Sequence, residues 1–286
     1  MFTEVSSMQS PLVSIIIPCY NHGIFIPDAI ASIEAVQSLQ PSLEVIILDD
    51  GSTDPDTIRI LDDLSGKGYH VHRQQNAGLG AARNAAVKLA KGKYILPLDS
   101  DNKVMAPYVT DAISIMEADP KISVVYADLQ RFGDDQEIWR RGEFNLQRLM
   151  LHNFIDACAV YRRSMWEELG GYDEKMPVMG FEDWEYWMRA AFTGKKFHYL
   201  QKIGFHYRVS GDSMITKVSA QKFDTVVAYL NEKHRSYLGP QWVRARIMET
   251  FTKKRSLFFK LFLSINAPWL IRFMKRTGLI KSDTVL

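Results

Sequence analysis

The sequence predicts an α/β protein with a mostly parallel sheet and flanking helices, followed by a helical C-terminal extension. Short β-branched runs alternate with segments of helical spacing from Leu12 to about Gln130, the pattern of strands joined by crossover helices. Polar clusters at Pro18–Asn21, Asp49–Asp54 and Asp99–Asn102 each follow an apolar run. In open parallel sheets, ligands bind beyond those carboxyl ends.

The elements follow in order. "LVSIIIPCYN" reads as a buried strand stopped by Pro18, and "PDAIASIEAVQSL" as a helix with Pro27 in its first turn. "LEVIILDDGSTD" is a strand ending in acids and turn residues, and "TIRILDDLSG" a helix. "YHVHRQ" is a short strand, and "GLGAARNAAVKLAKG" an alanine-rich helix closed by Gly92. "KYILPLDSD" and "KISVVYADLQ" are strands around the helical "PYVTDAISIMEAD". Further on, "FIDACAVYRRSMWEELGGYDE" reads as a strand entering a short helix. Ser164 and Glu167 have capping-box spacing there, and Gly170-Gly171 ends the helix. "GFEDWEYWMRAAFTG" is an acid-started helix ending at Gly194, and "KFHYLQKIGFHYRVSG" two short strands. The expected divisions are a tail over 1–11, a catalytic domain over 12–215 with halves 12–102 and 103–215, and the helical extension over 216–286.

Composition narrows the class. The chain has 286 residues, 47% hydrophobic and 24% charged, with a net charge of +2. That is ordinary for a globular protein and argues against a general nucleic-acid binder. Cys19 and Cys158 sit far apart among apolar residues and read as buried free thiols in a reducing, cytoplasmic setting. Met1 to Ser10 lacks an apolar signal region, and no charge-free apolar run is long enough to span a bilayer.

The polar clusters carry the chemistry. Asp99 and Asp101, two residues apart, repel each other unless they are solvated or share a cation. Tyr20 offers a ring to stack on a base, and the backbone near Pro18 can meet the base edge. A carboxylate at Asp50 can accept the imide N–H that uracil and thymine share, or the N–H groups of guanine, whereas Asp49 reads as a turn cap. "GLGAARN" lacks the third glycine of a dinucleotide fingerprint and places Arg83 there instead. Glu182 and Asp183 begin a helix whose dipole favours acids, and Trp184 and Trp187 follow them with broad apolar faces.

"VSIIIPCYN", "VIILDDGSTD", "NAGLGAARNAA", "YILPLDSDN" and "GFEDWEYWMRAA" stand in the order and spacing of family 2 glycosyltransferases of the GT-A fold, and the resemblance runs from Leu12 to Met214. It implies transfer of a sugar from a nucleotide-diphosphate donor, with a UDP-sugar favoured, to an acceptor hydroxyl. It also implies inversion and a need for Mn2+ or Mg2+. By resemblance, Pro18, Tyr20, Asn21, Asp50, Gly80, Arg83, Asp99 and Ser100 hold the nucleotide. Asp101 of the DxD motif binds the metal, with His206 as a further ligand. Many relatives have a histidine two residues after the arginine of "YR", where this chain has Ser210. Asp183 is the implied base, Glu182 and Trp184 are on the acceptor side, and Arg208 faces the diphosphate.

The stretch from Thr252 to Lys281 mixes basic residues with Phe, Leu and Trp, which suits a helix lying on an anionic membrane surface. That arrangement fits a glycan or lipid-linked acceptor met at the inner face of the membrane. Two other classes are weighed against a transferase. One is a nucleotidyltransferase, but the Gly-Thr-Arg loop typical of that class is missing near the first strand. The other is a non-catalytic sugar-nucleotide-binding subunit, which the intact Asp101 and Asp183 disfavour.

Overall fold

The computed structural model describes residues 11–39, 42–210 and 220–237. The chain divides into two compact units at Lys233/His234, and the fold below is that of the first. Its strands are β1 (Val13–Cys19), β2 (Leu43–Asp49), β3 (His70–Arg73), β4 (Tyr94–Pro97), β5 (Lys103–Val104), β6 (Ile122–Gly133), β7 (Ile138–Trp139), β8 (Val160–Arg162) and β9 (Lys196–Val209). Its helices are α1 (Ile26–Leu39), α2 (Pro55–Gly66), α3 (Leu79–Leu89), α4 (Ala106–Ala118), α5 (Leu146–Leu151), α6 (Arg163–Leu169), α7 (Glu182–Phe192) and α8 (Ala220–Lys233).

The strands form one sheet in the order β3-β2-β1-β4-β8-β6-β9-β5, with β7 paired to β6. The first four neighbours are mutually parallel. β8 joins β4 to β6 antiparallel on both sides, β6 and β9 run parallel, and β5 is antiparallel to β9. All seven residues of β1 are buried, as expected for a parallel strand covered on both faces. Ile15, Ile17, Leu96, Ile33, Val36 and Val109 meet in the core cluster that α1 and α4 share with the sheet.

Local chemistry sets the element ends. Asp54 caps α2 by accepting from Thr57 N at 2.8 Å, with Pro55 next in the first turn. α3 ends at Leu89, before Gly92. Gly92 serves instead as a close-approach point, because a Cβ there would lie 2.5 Å from Ser14 Oγ. The capping box expected at Ser164 and Glu167 does not form. Arg162 is the N-cap of α6, and Glu167 pairs with Arg163 at 3.0 Å. Gly170 takes the left-handed conformation that closes this helix (φ 74°).

Two expectations change in the second half. The two short strands predicted before Ser210 are a single strand, β9, bent by register shifts. Ala127 pairs with Leu200, Asp128 with Ile203 and Leu129 with Phe205, so Gln201, Lys202 and Gly204 have no partner on β6. The first helix expected in the extension, α8, belongs to the catalytic unit. It buries Val226 and Leu230, and Phe223 stacks on Trp184 with centroids 6.0 Å apart. Tyr229 and Lys233 both bond Asp173, at 2.7 and 2.5 Å.

Candidate active site

The carboxyl ends of β1, β2 and β4 open into a cleft of about 630 Å³, where a parallel sheet places its ligand. Pro18, Tyr20, Asp50, Arg83, Asp99, Ser100, Asp101 and Asp183 all line it. The polar clusters that end separate strands therefore converge as the sequence predicts.

Tyr20 is 49% exposed and leaves its ring open to a stacking partner. Asp50 is buried and shapes the wall. Its Oδ1 accepts from Gln74 Nε2 at 2.7 Å and Ala77 N at 2.9 Å, and its Oδ2 from Gly78 N at 2.9 Å. An oxygen with one donor keeps acceptor capacity, so Oδ2 can take one more N–H. Asp49 caps the turn by accepting from Ser52 N at 2.9 Å. Cys19 forms neutral wall, since burial pushes its thiol up to about 11.

Arg83 is buried and pairs with Asp99 at 2.8 Å, with its Nε unpartnered. Burial works against its charge, but Asp99, Tyr172, Glu182 and Asp183 outweigh that and hold it above the ordinary arginine range. The acids outnumber this cation at the cleft. Burial pushes Asp101 up to about 6, with Asp99 and Asp156 adding to the shift and Arg208 opposing it. Burial likewise pushes Asp183 up to about 7, against the pull of Arg83. Asp183 is 8% exposed in the first turn of α7, where its Oδ1 accepts from Trp184 N at 2.7 Å and its Oδ2 from Asn153 Nδ2 at 2.9 Å.

Five residues expected in the site lie elsewhere. Asn21 adopts φ 52° and spends its side chain on the β2–α2 loop, accepting from Thr53 N and Asp54 N at 2.8 and 2.9 Å. Gly80 faces protein: a Cβ there would lie 2.9 Å from Asp173 O and 3.2 Å from Glu182 Cγ. Glu182 is buried and accepts from Gly180 N at 2.8 Å, which fixes a cleft-lining loop from behind. Trp184 is 0% exposed, donates to Leu149 O at 2.6 Å and has no face for a sugar; Trp187 is equally buried. His206 turns away beside Lys103, its pKa lowered first by its own burial and then by the Lys103 charge, while Tyr207 takes the cleft face of β9.

Other cleft residues carried no sequence signal of their own. His22 and Met179 line it from loops. Asp156 sits in irregular chain between α5 and β8, and burial raises its pKa. Asn153, three residues earlier, could have been sought as the donor that a buried acid needs. Arg208 braces the edge of the site, donating from Nε to Asp101 O at 3.1 Å and pairing with Asp28 at 2.6 Å.

Among the described residues, no group of three or more His, Cys, Asp or Glu side chains converges as a closed metal cage. Asp99 and Asp101 nevertheless face one cleft, and Asp101 resists ionisation there without a nearby positive charge. That donor set fits a hard divalent cation, which takes one or two carboxylates and completes its shell with phosphate oxygens and water.

A mixed sheet with a parallel first half and an acid-lined crevice at its strand ends is the GT-A architecture. The chain belongs to the family described as "Glycosyl transferase family 2", whose sequence signature matches residues 14–170. It is 30% identical over 237 residues to the hyaluronan synthase of Pasteurella multocida, covering 79% of this chain and 24% of that protein. The chain thus spans about a quarter of that relative's length. It is 28% identical over 226 residues to WfaP of Escherichia coli, a UDP-Glc:alpha-D-GlcNAc-diphosphoundecaprenol beta-1,3-glucosyltransferase, covering 77% of this chain and 84% of that one. The fold matches S. aureus TarS 1-349 in complex with UDP-GlcNAc with a TM-score of 0.64 at 19% identity, covering 90% of this chain and 76% of that one.

Proposed function

We propose that the protein transfers a sugar from a UDP-sugar to an acceptor hydroxyl, with inversion at the anomeric carbon, in the building of a glycan. The observation that carries this reading is the buried Asp183 carboxyl, raised to about 7, opening into the same cleft as Tyr20, Asp50 and Asp101. A general base works best with its pKa near the working pH. The UDP-sugar assignment draws on WfaP, described as using UDP-Glc, and on TarS, solved with UDP-GlcNAc.

Tyr20 stacks on the base, and Asp50 Oδ2 accepts the imide N–H. Asp99, held by Arg83, faces the ribose, and Asp101 holds Mn2+ or Mg2+. The cation, when bound, neutralises the diphosphate as leaving group. Asp183 takes the acceptor hydroxyl proton as that oxygen attacks the anomeric carbon and the bond to the diphosphate breaks. One displacement gives inversion, and the proton on Asp183 then passes to water.

The acceptor is read as a glycan or lipid-linked sugar met at the inner face of the membrane. No helix among the described residues is long and apolar enough to cross a bilayer. The basic and aromatic stretch over 252–281 lies outside the described residues, and its peripheral membrane role rests on sequence alone. Sedimentation with anionic and with neutral vesicles tests that role: equal pelleting with both, or with neither, removes it.

The transfer reading is tested with a panel of UDP-sugars, Mn2+ and candidate acceptors. UDP release and the anomeric configuration of the product are measured. Absence of UDP release, together with no shift in melting temperature on adding UDP and Mn2+, would refute it.

A further inference from the structure

Met179 lines the cleft, yet the transfer chemistry leaves it unused. At 52% exposed it is more open to solvent than Tyr20. The loop that carries it is tied at both ends. Asp173 accepts from Lys175 N at 2.8 Å, Glu174 accepts from Asn84 Nδ2 at 2.8 Å, and Gly180 N donates to Glu182 at 2.8 Å. These bonds set where Met179 stands, while its unbranched side chain keeps the freedom to repack on a ligand.

Its neighbour on the cleft wall is Gly78. A Cβ built on Gly78 would lie 3.6 Å from Met179 Sδ and, among the described residues, would meet no other atom within 4 Å. With φ at 90°, Gly78 holds a conformation that suits glycine, and it offers bare backbone to the cleft. Its N–H donates to Asp50 Oδ2 at 2.9 Å. Tyr20 belongs to the other side of that carboxylate: Asp50 N donates to Cys19 O at 2.8 Å, and Tyr20 is the next residue. The sheet order accounts for this. β2 lies between β1 and β3, so the chain leaving β1 and the chain leaving β3 flank the acid that follows β2. A flat ring whose N–H reaches Asp50 from the cleft therefore has Tyr20 on the β1 side and the Gly78–Met179 contact on the β3 side. Covering an exposed thioether removes apolar surface from water, and sulfur packs favourably on aromatic rings.

We propose that Met179 is a donor-binding residue whose thioether packs on the nucleobase from the side opposite Tyr20. This rests on the transfer reading above, which puts the base on Tyr20 and Asp50.

Two measurements on the full chain test it, both with Mg2+ present. By titration calorimetry, Met179→Ala should weaken UDP binding about 2- to 10-fold, the usual worth of a sulfur–ring contact. Met179→Leu should restore most of the loss, and neither change should alter the binding of inorganic pyrophosphate, which has no base. Dilute hydrogen peroxide maps the contact without substitution, passing one oxygen to a thioether to give the sulfoxide and water. UDP should slow the oxidation of Met179 but not of Met176 on the same loop, and pyrophosphate should slow neither. Unchanged UDP affinity in Met179→Ala, an equal loss for pyrophosphate, or equal slowing at both methionines would overturn the contact. Protection by GDP and not by UDP would keep the contact and move the donor away from uridine. Protection by UDP in a protein that transfers no sugar would keep the contact and remove the transfer reading. Transfer from a UDP-sugar that depends on Tyr20 but not on Met179 would do the reverse.

Discussion

Asn153 Nδ2 donates to Asp183 Oδ2 at 2.9 Å, so an amide from the loop after α5 steadies the charged form of a carboxyl that burial otherwise keeps protonated. Losing that bond should raise the pKa of Asp183 further. A base works only when ionised, so activity climbs with pH through the base's pKa. Asn153→Ala should move the acid limb of kcat/KM to higher pH, and a pH–rate profile checks this. A limb that stays in place separates Asn153 from the base.

Asp183→Asn should lower kcat about 10²–10⁴-fold while UDP still raises the melting temperature. The same change carries a stability signature. The folded pKa of Asp183 is raised above its unfolded value, so its ionisation costs stability as pH rises through about 7. Asp183→Asn should therefore stabilise the protein at pH 8 and change little at pH 4. The Asn153 Oδ1, buried without a partner, can turn to accept from the new amide. Melting curves at both pH values decide, and equal shifts would contradict the assigned burial cost.

Asp101→Ala should remove metal-dependent donor binding, because the cation loses its protein anchor beside the diphosphate. The measurement is the melting-temperature shift given by UDP with Mn2+, with and without chelator. A variant that shifts as the wild type does, or a wild type indifferent to chelator, counts against a cation at Asp101.

Gly80→Ala should destabilise by about 1–3 kcal/mol, since its methyl must displace the Asp173 carbonyl or the Glu182 side chain. Denaturant unfolding measures it. A neutral Gly80→Ala combined with weakened UDP binding would return Gly80 to the donor site.

Trp184→Phe should cost about 1–3 kcal/mol by leaving the Leu149 carbonyl without its donor. The acceptor KM should stay within about twofold, because no face of this ring reaches the cleft. A large rise in KM with unchanged stability would reinstate an acceptor contact.

The parallel half of the fold was legible because its strands are continuous apolar runs and its chemistry follows their ends. Asp50, Asp99 and Asp101 reach the cleft that way. Trp184 was misplaced for a physical reason: α7 is buried from Glu182 through Met188, so its apolar residues mark no single face. The acidic pair beside it was split by geometry that spacing cannot show, with Glu182 bonding Gly180 and Asp183 facing the cleft. β5 and β7 have two residues each, too few for any period to register. Asp156 and Asn153 lie in irregular chain, placed by tertiary contacts alone.

Gly204, which has no partner on β6, works as a phase setter for β9. One added residue in a strand exchanges its two faces from that point on, and a glycine is needed there because a Cβ would lie 2.7 Å from that of Ala127. Its presence determines that a phenol at Tyr207 meets the cleft while the imidazole of His206 looks the other way. The repertoire of this wall is thus held in chain length as well as in side-chain identity. A single-codon deletion at Gly204 would exchange the faces of the residues that follow, turning His206 and Arg208 to the side that Phe205 and Tyr207 now take without changing any of them.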